Sequence, residues 1–270
     1  MATTKTALIT GASGGFGREF AKLFAADGYD VILVSRNGEK LEDIATDLKM
    51  KHGIRAIVIE KDLSRTGSAD ALYNQVKNQN IEVDVLVNNA GVGEHGLLTE
   101  TDMDKEMAVI HLNVISLYQL TKLFLKDMVA RDEGKILQLA STASLAPLPF
   151  MSVYSGTKAF VYAFTLALVN ELKDTNVSMT ALIPGASDTD FFKKAHAEHT
   201  MIYNDTKLSD PAKVAKDGYV ALMKGKSKVI SGTKNKVQAA MANVLPTQSV
   251  TKGTRKLMEE KKEDKKEDEK

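Results

Sequence analysis

Tyr154 and Lys158 stand four residues apart in Val153-Tyr154-Ser155-Gly156-Thr157-Lys158. On a helix, positions i and i+4 share one face. An ammonium beside a phenol favours the phenolate. On this reading Lys158 draws the tyrosine down from its reference pKa of about 10 towards neutrality, where it works as a general acid or base. The pair alone is a weak signal, since Tyr and Lys at this spacing sit on many surface helices. Its weight rests on what surrounds it.

A second group of residues suits a phosphate. Thr10-Gly11-Ala12-Ser13-Gly14-Gly15-Phe16-Gly17 joins an apolar run to an amphipathic one. Glycines at 11, 15 and 17 permit a tight turn and let backbone approach a pyrophosphate, and the helix that follows offers its N–H groups and positive dipole end. The spacing is GxxxGxG rather than GxGxxG. The next apolar run ends Val34-Ser35-Arg36. An acid there would bond the ribose 2′-hydroxyl of NAD, whereas a cation suits a 2′-phosphate. The acid is missing and Arg36 stands in its place, so NADP(H) is the expected cofactor over NAD. Asp30 lies at the wrong end of that run.

Short apolar runs alternate with longer amphipathic ones. Strands are expected at Ala7 to Thr10, Val31 to Ser35, Ala56 to Ile59, Val83 to Val87, Lys135 to Ala140 and Val177 to Ile183, with a weak seventh at Val229 to Ser231. Helices are expected at Phe16 to Asp27, Glu39 to His52, Ala69 to Asn78, Met103 to Ala130 and Val153 to Lys173. This alternation predicts βαβ units and a parallel sheet, with helices on both faces because the strands are continuously apolar. Ligands then bind beyond the carboxyl ends of the strands. Ser141, Asn88-Asn89-Ala90-Gly91 and Pro184-Gly185 all fall at that rim, together with the glycine turn.

With these residues in order, the chain resembles the short-chain dehydrogenase/reductase family from about residue 5 to 232. The family's TGxxxGxG turn matches Thr10 to Gly17, its adenine-contacting Asp matches Asp62, its NNAG segment matches Asn88 to Gly91, and its PGxxxT segment matches Pro184 to Thr189. Its catalytic Asn, Ser, Tyr and Lys fall on Asn113, Ser141, Tyr154 and Lys158. The resemblance implies a single-domain α/β, doubly wound Rossmann fold with a parallel seven-stranded sheet, in the order 3-2-1-4-5-6 with a seventh strand at the edge. It implies that Tyr154 protonates a carbonyl oxygen as hydride arrives from the nicotinamide. Ser141 would hydrogen-bond that carbonyl and Lys158 the nicotinamide ribose. Asn113 would hold a water that passes protons to the lysine, and Thr189 would hold the carboxamide. The expected cofactor contacts are Gly11, Ser13, Gly15, Phe16, Gly17, Ser35, Arg36, Asp62, Leu63, Asn89, Ala90, Gly91, Tyr154, Lys158, Pro184, Gly185 and Thr189. Phe16 and Ser187 depart from the aliphatic residues usual there. The expected function is NADPH-dependent reduction of a ketone or aldehyde, with ketoacyl compounds among the candidates. The rival is a non-catalytic, redox-sensing dinucleotide module on the same fold; such proteins usually lose the tyrosine or lysine, and this chain keeps all four catalytic positions.

The whole chain sets outer bounds. It has 270 residues, 43% of them hydrophobic, and a formal net charge of +1. That balance gives no global pull towards nucleic acid. With no cysteine there is no disulfide, thiol nucleophile or thiolate metal site. No signal peptide and no apolar run of membrane-spanning length are read, so a cytoplasmic protein is expected, with a small-molecule carbonyl or alcohol substrate and no metal. His196 and His199 could share a helix face, and a solvated segment is the plainer reading. Phe191, Phe192, Met201, Ile202 and Tyr203 fit either a lid or ordinary packing. Lysines from Lys224 to Lys236 precede an amphipathic stretch, Val237 to Leu245, and membrane contact there is not expected. The catalytic domain is taken as residues 1–257 and a charged tail as 258–270, because Glu259 to Lys270 holds only Glu, Asp and Lys. A homodimer or homotetramer is expected through the Tyr154 helix, which is apolar nearly all round.

Overall fold

The computed structural model describes residues 4–242 and 244–260. The chain lays down β1 (Thr6–Thr10), α1 (Gly15–Ala26), β2 (Asp30–Ser35), α2 (Gly38–His52), β3 (Ala56–Glu60), α3 (Ser68–Asn78) and β4 (Val85–Asn88). There follow α4 (Met103–Ile110), a π-helical turn (His111–Ser116), α5 (Leu117–Ala130), β5 (Gly134–Leu139), α6 (Ser152–Glu171) and β6 (Val177–Ile183). Short helices α7 (Phe191–Lys194) and α8 (Met201–Asp205) precede α9 (Pro211–Met223), β7 (Lys228–Ile230), α10 (Thr233–Ala242) and α11 (Thr247–Met258). All seven strands pair in parallel in the order β3-β2-β1-β4-β5-β6-β7.

Successive residues of a strand point to opposite faces, and both faces here are covered. Ala7 and Ile9 pack with Phe20, Phe24, Leu41 and Leu222 from α1, α2 and α9. Leu8, between them, packs with Leu72, Leu120, Phe124 and Met128 from α3 and α5. Local signals fix the helix ends. Asn37 caps α2, accepting from the Lys40 N–H at 2.8 Å, and Gly53 closes it in the left-handed region at φ 67°. Asp210 caps α9, with Pro211 in the first turn.

Three sequence expectations change. Helix α9 was not foreseen, although the Asp-Pro pair is a start signal. The stretch Met103–Ala130 forms 28 continuous helical residues, long and apolar enough by length and composition to cross a membrane. No such run was read from the sequence. In the fold this helix lays Leu117, Leu120, Phe124 and Met128 on the sheet. The boundary before Met258 falls inside packed structure. Met258 is 1% exposed, its carbonyl meets His95 Nε2 at 2.9 Å, and the Glu259 carbonyl accepts from the Met201 N–H at 3.1 Å. The charged side chains stay in water while their backbone pairs. Residues 261–270 of the expected tail lie outside the described residues.

Candidate active site

The carboxyl ends of the strands open into a cleft of about 970 Å³. One end is the glycine turn. Gly11 takes φ 68°, and a Cβ there would sit 2.8 Å from Asn89 Nδ2 and 3.0 Å from the Ala90 Cα. Asn89 ties this turn to β4, donating from Nδ2 to the carbonyls of Thr10 at 2.8 Å and Gly11 at 3.2 Å. The Thr10 hydroxyl accepts from the N–H groups of Asn89 and Ala90, both at 3.0 Å. Gly17 does not line the cleft. A Cβ on it would run into the Gly11 carbonyl, so glycine there lets α1 close onto the turn. The result is a bare backbone cradle at a helix N-terminus, which fits a pyrophosphate.

Beyond the cradle lie Ser13, Ser35, Arg36, Asp62 and Leu63, all on the cleft wall. Asp62 is partly buried, which raises its pKa. The Ser64 hydroxyl and N–H, bonded at 2.6 and 3.0 Å, and the cations Arg36 and Arg65 outweigh that and hold it below the usual carboxylate range. Lys40 and Lys61 join Arg36 on the same wall and were missed from the sequence. Lys40 is four residues past Arg36 in the first turn of α2, a spacing that could have drawn attention to it.

At the other end Ser141 caps a 3-10 turn after β5, its hydroxyl accepting from the Ala143 N–H at 3.1 Å. The Ser141 side chain also hydrogen-bonds Tyr154. Lys158, 3% exposed, donates from Nζ to the Leu139 carbonyl at 2.7 Å. The Nζ lies 5.8 Å from the centre of the Tyr154 ring. Asn113 is fully buried behind the cleft rather than on its wall. Its Oδ1 accepts from the Val92 N–H at 3.1 Å, and its Nδ2 donates to the Val92 carbonyl at 2.9 Å and to Thr157 Oγ1 at 3.1 Å. The π-helical turn, whose hydrogen bonds each span one residue more than those of an α-helix, thus holds the Gly91 loop and α6 together. Pro184, Gly185 and Thr189 complete the wall from the end of β6.

The electrostatics correct one expectation. Tyr154 was read as drawn down by Lys158. Instead, removal from water pushes the phenol up to about 12, with the Ser141 hydrogen bond acting the other way. Lys158 itself is lowered to about 8 by the same loss of water. Its ammonium is turned to the Leu139 carbonyl, so burial governs both groups. Phe191, Phe192 and Ile202 line the cleft, and Phe191 meets the Tyr154 ring at 5.0 Å between centroids. Met201 does not line it, and Tyr203 packs against Phe192. Helices α10 and α11 and the turn between them add an apolar wall through Met241, Leu245, Val250 and Leu257, which the sequence had not assigned to the site. His199 stands edge-on to His95 at 4.9 Å between ring centroids and 3.8 Å from Glu260, and His196 sits in a turn at φ 54°.

Fold and site together define a doubly wound α/β protein of Rossmann type, with polar and catalytic-type groups gathered at the carboxyl rim of its sheet. Residues 5–200 match the short chain dehydrogenase family, and the chain belongs to that family. It is 37% identical over 176 residues to the very-long-chain 3-oxoacyl-CoA reductase of Pyrenophora tritici-repentis, covering 63% of this chain and 51% of that protein. It is 37% identical over 187 residues to the human 17-beta-hydroxysteroid dehydrogenase type 3, covering 68% of this chain and 59% of that protein. The matched segment thus spans between about half and three-fifths of these curated relatives. Among solved structures, a short-chain dehydrogenase from Sphingobium yanoikuyae in complex with NADPH superposes with a TM-score of 0.80 at 25% identity, covering 89% of this chain and 94% of that one.

Proposed function

We propose that this chain reduces the carbonyl of an apolar ketone, with NADPH as the hydride donor. The observation that carries this reading is Tyr154, its phenol bonded to Ser141 at the cleft end of β5 and fully protonated at neutral pH. A bound nicotinamide would supply hydride to the carbonyl carbon. Tyr154 supplies the proton to the carbonyl oxygen, and Ser141 donates a hydrogen bond to that oxygen as charge grows on it. Lys158, lowered to about 8, stands beside the tyrosine as a group able to hand on a replacement proton. A phenol held near 12 keeps its proton at pH 7, so the proton that reduction consumes is in place.

The glycine cradle fits the pyrophosphate, and Arg36, Lys40 and Lys61 supply the positive charge that a 2′-phosphate calls for. The NADPH in the superposed Sphingobium structure supports the same choice. The apolar end of the cleft, walled by Phe191, Ile202, Met241, Leu245 and Leu257, favours a long or bulky substrate. Relatives named for 3-oxoacyl-CoA and for hydroxysteroids act on compounds of that shape. We place the protein in the cytoplasm and pair it through α6, where Phe160, more than a third exposed, stacks on Phe164 beside the similarly exposed Tyr118 of α5. A strictly monomeric mass by light scattering at micromolar concentration counts against that pairing.

The test is NADPH consumption with a ketone panel running from small aliphatic ketones to medium-chain 3-oxoacyl thioesters and steroid ketones. Turnover rising with apolar size supports the reading. Binding of NADPH without consumption on any of them favours a non-catalytic dinucleotide module instead.

A further inference from the structure

Between Asp217 and Glu259 the chain carries eight lysines and arginines and no acidic residue, although the whole protein is nearly neutral. This stretch includes α10 and α11, which form one wall of the cleft. Lys234 and Lys236 are exposed on α10, and Lys252 and Lys256 on α11. The same wall exposes apolar side chains. Val237 is 55% exposed, Met241 52%, Val244 84% and Leu245 44%. Lys234, Val237 and Met241 fall at i, i+3 and i+7, so they share one face of the helix.

Met241 and Leu245 line the cleft, whereas Val237 and Val244 do not. The substrate site has no use for those two valines, yet they stand in water beside its mouth. Helix α10 is held in place from behind. Asn235 packs on Gly185, where an added Cβ would lie within 2.7 Å of its amide, and Ala239 is buried.

We propose that this rim is a docking surface for an anionic phospholipid membrane. The valines and Met241 would enter the headgroup region, and the lysines would meet lipid phosphates and carboxylates. Exposed apolar side chains on a segment rich in exposed cations have the chemistry of interfacial binding. A second copy of the chain is a poorer occupant. A two-fold contact would set the same lysines against each other, with only Glu259 and Glu260 at the end of α11 to answer eight cations. The arrangement places the cleft mouth on the membrane surface, so that an apolar ketone passes from lipid to Tyr154 without crossing water. Only this last step rests on the proposed function.

The test uses the full chain and sedimentation with vesicles of phosphatidylcholine, either pure or containing about 30% phosphatidylserine. The protein should pellet with the anionic vesicles, at least about tenfold more tightly than with the neutral ones, and should be released by about 0.5 M salt. The pair Val237→Asp with Val244→Asp should cut binding about tenfold or more, as should Lys234→Glu with Lys236→Glu. Turnover of a small water-soluble ketone should be unchanged, which separates docking from catalysis and shows that the variants fold. Equal binding to both vesicle types overturns the proposal, and so does binding that survives both variants. Absence of binding, with self-association in light scattering that Val237→Asp with Val244→Asp abolishes, overturns it in favour of a second copy.

Discussion

Replacing Lys158 by Met should leave the protein as stable as before at pH 7, or more so, while stripping out its function. The lysine is lowered from 10.5 to about 8 by loss of water, so its buried ammonium costs about 3 kcal/mol at neutral pH. Methionine fills similar space without charge. The change also leaves the Leu139 carbonyl, now bonded at 2.7 Å, without its donor, at a cost of about 1–3 kcal/mol. The two figures leave a net gain between about zero and 2 kcal/mol. The pH dependence gives a sharper reading. Below about 8 the lysine is protonated in both folded and unfolded chains, and the full penalty applies. From there to about 10.5 the unfolded chain binds a proton that the folded one has released, so wild-type stability rises with pH. The variant's advantage should therefore shrink between pH 7 and 10 and then reverse. Urea melts of both proteins across that range measure it. A variant destabilised by more than about 2 kcal/mol at pH 7, or a difference that does not move with pH, would refute the claim that burial sets the state of this lysine.

Arg36→Asp should lower kcat/KM for NADPH far more than for NADH. A charge-assisted phosphate contact contributes about 1.5–3 kcal/mol, so the ratio should shift about tenfold to a hundredfold, and an unchanged ratio would remove Arg36 from cofactor choice. Acid should loosen the C-terminal segment. Burial lowers the pKa of His95, with His199 adding to the fall, while the Met258 carbonyl and the acids Glu260 and Glu94 oppose it. A histidine lowered in the folded state contributes stability that is present above about 6.5 and lost as pH falls towards its folded value. Hydrogen exchange at the Met201 amide, which bonds the Glu259 carbonyl, should speed up on going from pH 7 to about 5.5 after correction for the intrinsic rate, and His95→Gln should flatten that response. Exchange independent of pH in the wild type would contradict it.

The sheet was readable because its signals are local. Continuous apolar runs fixed every strand to within two residues, and the strand order follows from the family resemblance. Most of the residues that line the polar part of the cleft could be placed from motifs because they fall at or just after a strand end. What the sequence hid depends on distance. Nothing in the spacing of Tyr154 and Lys158 tells how much water surrounds them, so the direction of the tyrosine shift was misread. Asn113 was placed near the proton path, but its pairing with Val92 and Thr157 needs the π-helical turn, which carries no residue signature. The cleft wall from α10 and α11 comes from residues more than seventy positions beyond Tyr154, and their mixed pattern reads as a solvated end. His95, His199 and Glu260 meet only because the chain folds back across the short helices α7 and α8.

The most direct test of the account is single-turnover reduction by wild type and Tyr154→Phe, alongside NADPH binding to both by fluorescence titration. Phenylalanine keeps the ring against Phe191 and removes only the hydroxyl that meets Ser141. The phenol proton matters in the transition state and not in holding the cofactor. The account predicts a loss of at least about a thousandfold in the reduction rate, within the range for general acid catalysis, and an NADPH Kd within about twofold of wild type. A variant that keeps a tenth or more of the rate while binding NADPH normally would show that the proton comes from another group.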